Sequence, residues 1–212
     1  TRDLSAKQRA ILEHPLWQAV RSGQASYAQL RTFALQDDWL VRHSPQLEAL
    51  LLAHAPDEAA RNALLKKWSA KTVFTSQGAE GSLRRFGAAL GLTNADFEGI
   101  QPLAGCAALT THFYYALLNG GFAAMLASLT ASESIFMELC RLAGPALREK
   151  YGLTDEQVAF FPLHDRLHEG VNVQEVALLR RLSRTSEDCE RLTQAVSLTY
   201  DCERLFYDTV YA

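Results

Sequence analysis

The stretch from Leu126 to Cys140, LASLTASESIFMELC, predicts a helix whose apolar face contains an acid. Leu126, Leu129 and Phe136 recur at intervals of three and seven residues, which is the period of an α-helix that packs one side against a core. Glu133 falls on the same face, four residues after Leu129. The stripe is too long for a strand, and it therefore indicates a core helix.

Helical signals of this kind run along the whole chain, and residues that start or stop helices separate them. Thr93 with Asp96, and Thr154 with Gln157, have the spacing of a capping box at a helix start. The double glycine 120–121 ends one apolar helix before the next begins. No alternating stretch predicts a pair of strands. We therefore predict an all-α fold, in which residues 1–212 form a single domain, a bundle of about seven to nine helices.

The composition argues against several classes of protein. A formal net charge of −3 and a pI near 6.1 are atypical of nucleic-acid-binding proteins, which usually carry a basic patch. No apolar run reaches about 18 residues, and the first residues lack the apolar core of a secretory signal, so we expect no membrane association. The four cysteines form no Cys-x-x-Cys pair and no zinc-binding spacing. Such cysteines are typical of reduced thiols, which favours a cytoplasmic location.

Three acidic side chains fall on apolar helix faces, where an unpaired charge is costly. Asp37 follows Phe33 by four residues on the stripe of a long helix, and its neighbour Asp38 is predicted on the polar side. Glu203 lies on the stripe of the last helix, and Glu133 on the stripe described above. Two interpretations are open for each of the three: a structural ion pair, or a functional site built by facing helices in the bundle interior.

A second set of candidate site residues contains histidines. His164 and His168 are four residues apart and share a helix face, a spacing that allows both side chains to bind one metal ion. Glu80 lies beside glycines that interrupt the third helix. Carboxylates and imidazoles from different helices form metal sites when they project into one cavity. The alternative interpretation is that these histidines are structural or lie on the surface.

Three segments together resemble the TenA branch of the TenA/PqqC family. LRTFALQDDWL at 30–40 is similar to the TenA signature in which a Gln-Asp pair precedes aromatic residues. YDCERLFYD at 200–208 is similar to the TenA C-terminal helix, and LTASESIFMEL at 129–139 to the segment that carries the TenA nucleophilic cysteine. The order and spacing of these segments fit nearly the whole chain. The resemblance implies a heme-oxygenase-like helical bundle.

The same resemblance implies a hydrolase of the thiaminase II type, which acts on an aminopyrimidine or a related heteroaromatic compound in thiamin salvage without a cofactor. By resemblance, Asp37 holds the amino group and ring nitrogen of the pyrimidine, and Glu203 is the general acid or base. The position of the family's cysteine holds Ser132, or Glu133 if the alignment shifts by one residue. The family also leads us to expect a homodimer or homotetramer. The aromatic candidates for substrate binding are Phe33, Trp39, Phe136, Phe160 and Phe206, of which Phe136 and Phe160 replace tyrosines of the family's pocket.

Part of the sequence also resembles non-heme iron oxidases of the same superfamily, the CADD-like proteins, to which PqqC is a metal-free relative. Glu80, Glu133 and His164 match the iron ligands of these oxidases in order and spacing, and His168 is a fourth candidate. Gly87 stands where a ligand histidine is expected, so the ligand set is incomplete. An iron-dependent oxidase is therefore the alternative hypothesis. A third hypothesis is a family member that binds a ligand without catalysis.

Overall fold

The computed structural model describes residues 2–75, 79–167 and 171–212, and every secondary-structure element among them is a helix. The all-α prediction is confirmed, and the assignment of residues 1–212 to one domain stays a prediction. The helices are α1 (Arg2–Leu12), α2 (Pro15–Ser22), α3 (Tyr27–Ala53), α4 (Glu58–Thr75), α5 (Ala79–Ala89), α6 (Asn94–Glu98), α7 (Ala104–Tyr151), α8 (Phe160–Leu167), α9 (Val171–Leu182) and α10 (Ser186–Tyr211).

Side-chain caps mark one of the two predicted helix starts. The Thr93 N–H donates to Asp96 Oδ2 at 2.7 Å, directly before α6. Thr154 and Gln157 also cap each other, with N···O distances of 2.8 and 3.3 Å. A turn follows this second pair, however, and α8 begins only at the fully buried Phe160. The second prediction was wrong because a local cap satisfies backbone groups in a turn as well as in a helix.

The longest element, α7, consists of two helices joined at Gly121. This glycine has φ 74° and ψ −168°, which no helical residue adopts, and the chain folds back there. His112 Nε2 on the first half lies 3.4 Å from Ser128 Oγ on the second. In a straight helix these two residues would be about 24 Å apart. The predicted break at the double glycine is confirmed.

Helix α10 packs along α7, and this is the largest interface between helices. Gly105 lies at the point of closest approach, where a Cβ atom would be 2.4 Å from the Leu205 carbonyl oxygen and 2.6 Å from Phe206 Cα. Only glycine fits between the two backbones. Phe206 and Tyr207, beside this contact, are each 1% exposed. The close approach therefore holds the inward face of α10, including Glu203, against α7.

Within the part of the chain that the structure describes, α7 is the one helix long and apolar enough to cross a membrane. The sequence pattern had led us to expect no such helix. Half of the apolar stretch is buried inside the fold, and the backbone break at Gly121 divides the helix. Both features are those of a core helix.

We predict that Gly121→Ala lowers the free energy of unfolding by about 2 kcal/mol, because only glycine adopts its backbone conformation without strain. A Cβ atom at this position would meet nothing within 4 Å, so backbone strain is the sole cause. Gly152→Ala is the matched control, because Gly152 also has open space but adopts the milder left-handed conformation, with φ 68° and ψ 21°. That substitution should cost about 1 kcal/mol. Urea denaturation measures both losses, and an unchanged stability of Gly121→Ala would contradict this role.

Candidate active site

Two of the predicted acids meet inside the bundle. Asp37 on α3 is 5% exposed and Glu203 on α10 is 3% exposed, and the two carboxyl groups interact electrostatically. Asp37 lies one helical turn after the buried Phe33, and Glu203 lies between the buried Thr199 and Phe206. The apolar stripes of the two helices therefore carry both carboxyl groups inward, as the sequence pattern predicts.

Burial disfavours the charged form of Asp37. Burial, followed by the negative charges of Glu203 and Asp38, raises the pKa of Asp37 well above its ordinary value of 3.8. Its Oδ2 atom is buried and has no hydrogen-bond partner within the described ranges of the chain. A buried carboxyl oxygen without a partner is unusual in a folded protein, and one explanation is a polar group supplied by a ligand.

Glu203 is poised to gain or lose a proton near neutral pH. Burial raises the pKa of Glu203 to about 7, and hydrogen bonds from Ser132 and Tyr207 oppose this rise. The Ser132 hydroxyl donates to Glu203 Oε1 in a short hydrogen bond. The hydroxyls stabilise the ionised form, and burial stabilises the neutral form. The balance leaves both forms accessible at physiological pH.

Tyr207 is the residue of this cluster that sequence reasoning missed. It lies four residues after Glu203 on the inward face of α10, and its pKa is raised well above 10.0 by burial and then by the charges of Glu203 and Asp37. The phenol therefore keeps its proton and donates a hydrogen bond to Glu203. The spacing of four residues from an inward-facing acid was the available signal, but it also fits an ordinary core tyrosine.

Aromatic rings form an apolar wall beside the two acids. The rings of Phe33 and Phe136 are 6.4 Å apart, and those of Phe136 and Phe160 are 6.0 Å apart. Phe33 precedes Asp37 by one helical turn, and Phe136 follows Ser132 by one turn. Two of the predicted substrate-binding rings, Phe33 and Phe136, therefore lie one helical turn from Asp37 and Ser132, and Phe160 contacts Phe136. Their role in stacking against a planar ligand stays a prediction.

The other two aromatic candidates lie elsewhere. Phe206 is 1% exposed and packs its ring against Tyr207 at 5.2 Å, so it supports the site from behind. Trp39 follows Asp37 by two residues, which turns its side chain about 200° around the helix. Its ring stacks on His43 at 4.4 Å instead. Trp39 as a substrate-binding residue is therefore not supported by its position.

A buried thiol near Asp37 does not replace the missing cysteine nucleophile. Cys106 is completely buried, and its thiol lies 3.4 Å from the Gln36 carbonyl oxygen. Burial, with a further contribution from the charge of Asp37, raises the pKa of Cys106 to about 12. A thiol that keeps its proton at neutral pH is a weak nucleophile.

Asp38 differs from its prediction, because it is 0% exposed rather than on a solvated face. Its Oδ2 lies 2.7 Å from Arg42 Nε, and its Oδ1 lies 3.6 Å from Arg84 Nε. Burial raises the pKa of Asp38, and the two arginines lower it. Helix α5 covers this side of α3 and supplies Arg84, which the sequence of α3 alone does not show.

Glu133 belongs to a second polar cluster, on the other side of α7. Lys67 Nζ lies 2.7 Å from Glu133 Oε2 and 2.6 Å from Glu175 Oε1. Thr130 Oγ1 donates to the other oxygen of Glu175 at 3.2 Å. The structural ion pair is therefore the interpretation of Glu133 that the structure supports. A catalytic role for Glu133 stays a prediction, and the partner that the structure describes for its side chain is Lys67.

The predicted iron ligands do not assemble among the described residues. The Glu80 side chain is 51% exposed and pairs with Arg84 at 3.0 Å, while Glu133 pairs with Lys67. His164 Nδ1 lies 2.9 Å from the Phe160 carbonyl oxygen. Across residues 2–75, 79–167 and 171–212, no group of three His, Cys, Asp or Glu side chains is arranged to hold a metal ion. These donors form no metal site within the described part of the chain; His168 lies outside it, so an iron site that includes His168 stays a prediction.

The comparisons with known proteins agree with this fold. A TenA homolog from Pseudomonas syringae pv. tomato str. DC3000 superposes with a TM-score of 0.82 at 16% identity, over 99% of this chain and 89% of that one. A domain of unknown function with a heme oxygenase-like fold, from Shewanella denitrificans OS217, also gives a TM-score of 0.82 at 16% identity, over 99% of this chain and 89% of that one. A TenA family transcription regulator from Silicibacter sp. TM1040 gives a TM-score of 0.80 at 18% identity, over 100% and 95% of the two chains. No curated protein matches the chain.

The predicted heme-oxygenase-like bundle is confirmed by these superpositions. At the level of sequence, the family model of the TENA/THI-4/PQQC family matches residues 2–212. The chain therefore belongs to the TENA/THI-4/PQQC family.

Proposed function

We propose that this protein is a TenA-like enzyme that hydrolyses an aminopyrimidine or a related heteroaromatic compound without a cysteine nucleophile and without a cofactor. The observation that supports the proposal best is the buried pair of Asp37 and Glu203, of which Glu203 has a pKa of about 7. A general acid or base works best when its pKa lies near the working pH. Burial at a site of this kind is a common origin of such a pKa.

Asp37 is the proposed recognition group. A neutral carboxylic acid offers one O–H donor and one C=O acceptor side by side. The ring nitrogen and amino group of an aminopyrimidine offer the complementary acceptor and donor. Two parallel hydrogen bonds would then orient the ring against Phe33 and Phe136 and satisfy the buried Oδ2 of Asp37.

Glu203 is the proposed acid and base. Its carboxylate takes a proton from a water molecule as the water oxygen bonds to the substrate carbon. The same proton then passes to the leaving nitrogen as the carbon–nitrogen bond breaks, so Glu203 ends the cycle in its starting form. Ser132 and Tyr207 hold the carboxyl in one orientation and set the fraction that is ionised.

Ser132 is proposed to orient Glu203 rather than to attack the substrate. Its hydroxyl already donates to Glu203 Oε1. By resemblance, the position of the family's nucleophilic cysteine is held by Ser132, or by Glu133 if the alignment shifts by one residue. A serine hydroxyl becomes a strong nucleophile when a well-placed base removes its proton. Glu203 is a base beside Ser132, so Ser132 has the partner that a nucleophile needs. The Ser132→Ala variant below distinguishes a residue that orients Glu203 from one that attacks the substrate.

Glu203→Gln should reduce turnover of an aminopyrimidine substrate by about 10²- to 10⁴-fold, the usual contribution of a general acid or base. Binding of the substrate should be nearly unchanged, because glutamine keeps the shape of the side chain. Steady-state kinetics and calorimetric binding measure the two effects. Glu175→Gln is the matched control, since Glu175 is a 4% exposed glutamate in the separate Lys67 cluster. Equal losses in both variants would show a structural effect and contradict the proposal.

Asp37→Leu should abolish binding of 4-aminopyrimidine and make the fold more stable at pH 7. Leucine keeps the branched shape of aspartate but removes both hydrogen-bonding oxygens, and it removes the cost of burying a carboxyl group. Calorimetry measures the binding, and thermal denaturation measures the stability. Retained binding would contradict the role of Asp37 in recognition.

Ser132→Ala should lower kcat by about tenfold and move the acidic limb of the kcat/KM profile to higher pH. The hydrogen bond from Ser132 favours the ionised form of Glu203, so its loss raises the pKa of Glu203 further. Ser134→Ala is the control, because the Ser134 hydroxyl donates to the Thr130 carbonyl oxygen of its own helix. Complete loss of activity in Ser132→Ala would instead identify Ser132 as the nucleophile.

The stability of the protein should fall as pH rises from about 4.5 to about 7. The pKa of Glu203 is about 7 in the folded protein and 4.5 ordinarily, so Glu203 loses its proton at a lower pH in the unfolded chain than in the folded protein. Between these two pH values, ionisation of Glu203 stabilises the unfolded chain relative to the folded protein. This shift corresponds to about 3 kcal/mol. Urea denaturation measures the free energy of unfolding of the wild type and of Glu203→Gln across this pH range. As the pH rises, the variant should become more stable relative to the wild type by this amount. Parallel stability curves over this pH window would contradict the raised pKa.

A further inference from the structure

Some buried polar atoms have no hydrogen-bond partner in the described parts of the chain, and two of them lie near the acid pair but outside the ion pairs of Asp38 with its arginines. One is Oδ2 of Asp37, and the other is Nε1 of Trp17 on α2. Trp17 is 3% exposed, so water at the surface does not satisfy its N–H group. A buried indole N–H usually has an acceptor, and an unsatisfied donor carries the full penalty of its desolvation. A phenylalanine would fill the same apolar space without that penalty.

The Trp17 ring contacts two aromatic residues, one on each of the helices that carry the acids. It packs edge-on against Phe33, with centroids 5.2 Å apart and planes at 77°, and against Tyr207, at 5.3 Å and 76°. Phe33 lies one helical turn before Asp37 on α3, and Tyr207 lies one turn after Glu203 on α10. Helix α2 thus brings an indole donor to the place where the two acid-bearing helices meet.

Donor groups are otherwise scarce on this side of the site. Phe33, Phe136 and Phe160 form the aromatic wall, and none of their rings carries a polar atom. Tyr207 and Ser132 already hydrogen bond to Glu203. Within the described cluster, Trp17 Nε1 is the donor that remains for a ligand.

We propose that Trp17 Nε1 donates a hydrogen bond to the ligand held by Asp37, and that it selects heteroaromatic rings with a second ring nitrogen opposite the amino group. This inference rests on the proposed function, in which Asp37 binds the ring nitrogen and amino group on one edge. A pyrimidine has the second acceptor that Trp17 requires, and a pyridine does not. Trp17 is thereby a specificity-determining residue that acts together with Asp37.

Two probe molecules isolate this hydrogen bond. 4-Aminopyrimidine and 2-aminopyridine share the edge that Asp37 recognises, and they differ in the second ring nitrogen, which is a C–H in the pyridine. We expect the ratio of their dissociation constants, measured by calorimetry at one pH, to change by about tenfold between the wild type and Trp17→Phe, with the pyrimidine losing affinity. Because the same two probes are used with both proteins, differences between the probes that do not depend on Trp17, such as basicity, cancel when the two ratios are compared. Trp39→Phe is the matched control and should keep the wild-type ratio.

The possible results separate the two proposals. An unchanged ratio in Trp17→Phe overturns the role of Trp17, while the proposed function stands if both probes bind the wild type and neither binds Asp37→Leu. Failure of both probes to bind the wild type overturns both proposals. A second measurement needs no Trp17 variant: in ¹⁵N–¹H spectra, 4-aminopyrimidine but not 2-aminopyridine should shift the Trp17 indole resonance downfield. Trp39→Phe helps to assign that resonance, and equal shifts with both probes would contradict the hydrogen bond.

Discussion

The burial of two carboxyl groups beside each other is the constraint on which the rest of the site depends. Asp37 and Glu203 are almost completely removed from water, and a negative charge on one opposes ionisation of the other. The pair therefore retains a proton at a pH where surface carboxyl groups have lost theirs. Hydroxyl groups of Ser132 and Tyr207 offset part of this penalty by hydrogen bonding to Glu203. The close packing of α7 on α10, which Gly105 permits, keeps these groups within reach of one another.

Two adjacent residues of helix α7 belong to two different polar clusters. Ser132 contacts Glu203, whereas Glu133 contacts Lys67, because adjacent side chains on a helix point about 100° apart. A shift of one residue would place a third acid against the acid pair and leave the buried Lys67 without one of its carboxylates. The register of this helix therefore decides which groups are available for chemistry, and the ion pairs of Lys67 hold Glu133 on its own face of the helix.

The helices and the inward direction of Asp37 and Glu203 were predictable because periodicity is a local property of the sequence. The sequence pattern did not show those partners that come from another helix. Asp38 is buried because Arg84 arrives from α5, and Glu133 forms an ion pair because Lys67 arrives from α4. Convergence of ligands from several helices, as the iron hypothesis required, depends on such contacts between helices and cannot be read from spacing. Tyr207 had an inward position in the pattern, but a buried tyrosine has no distinctive signal until its partner is known.

The central claim is that a buried carboxyl group of this site titrates near neutral pH. Carbon-13 NMR of protein labelled at its glutamate side-chain carboxyl groups measures this directly across pH 3 to 9 in the wild type and in Glu203→Gln. One carboxyl resonance should titrate at about 7 in the wild type and be missing in the variant. A spectrum in which every glutamate carboxyl resonance titrates near the ordinary pKa of 4.5 would contradict the role of Glu203 as an acid–base group.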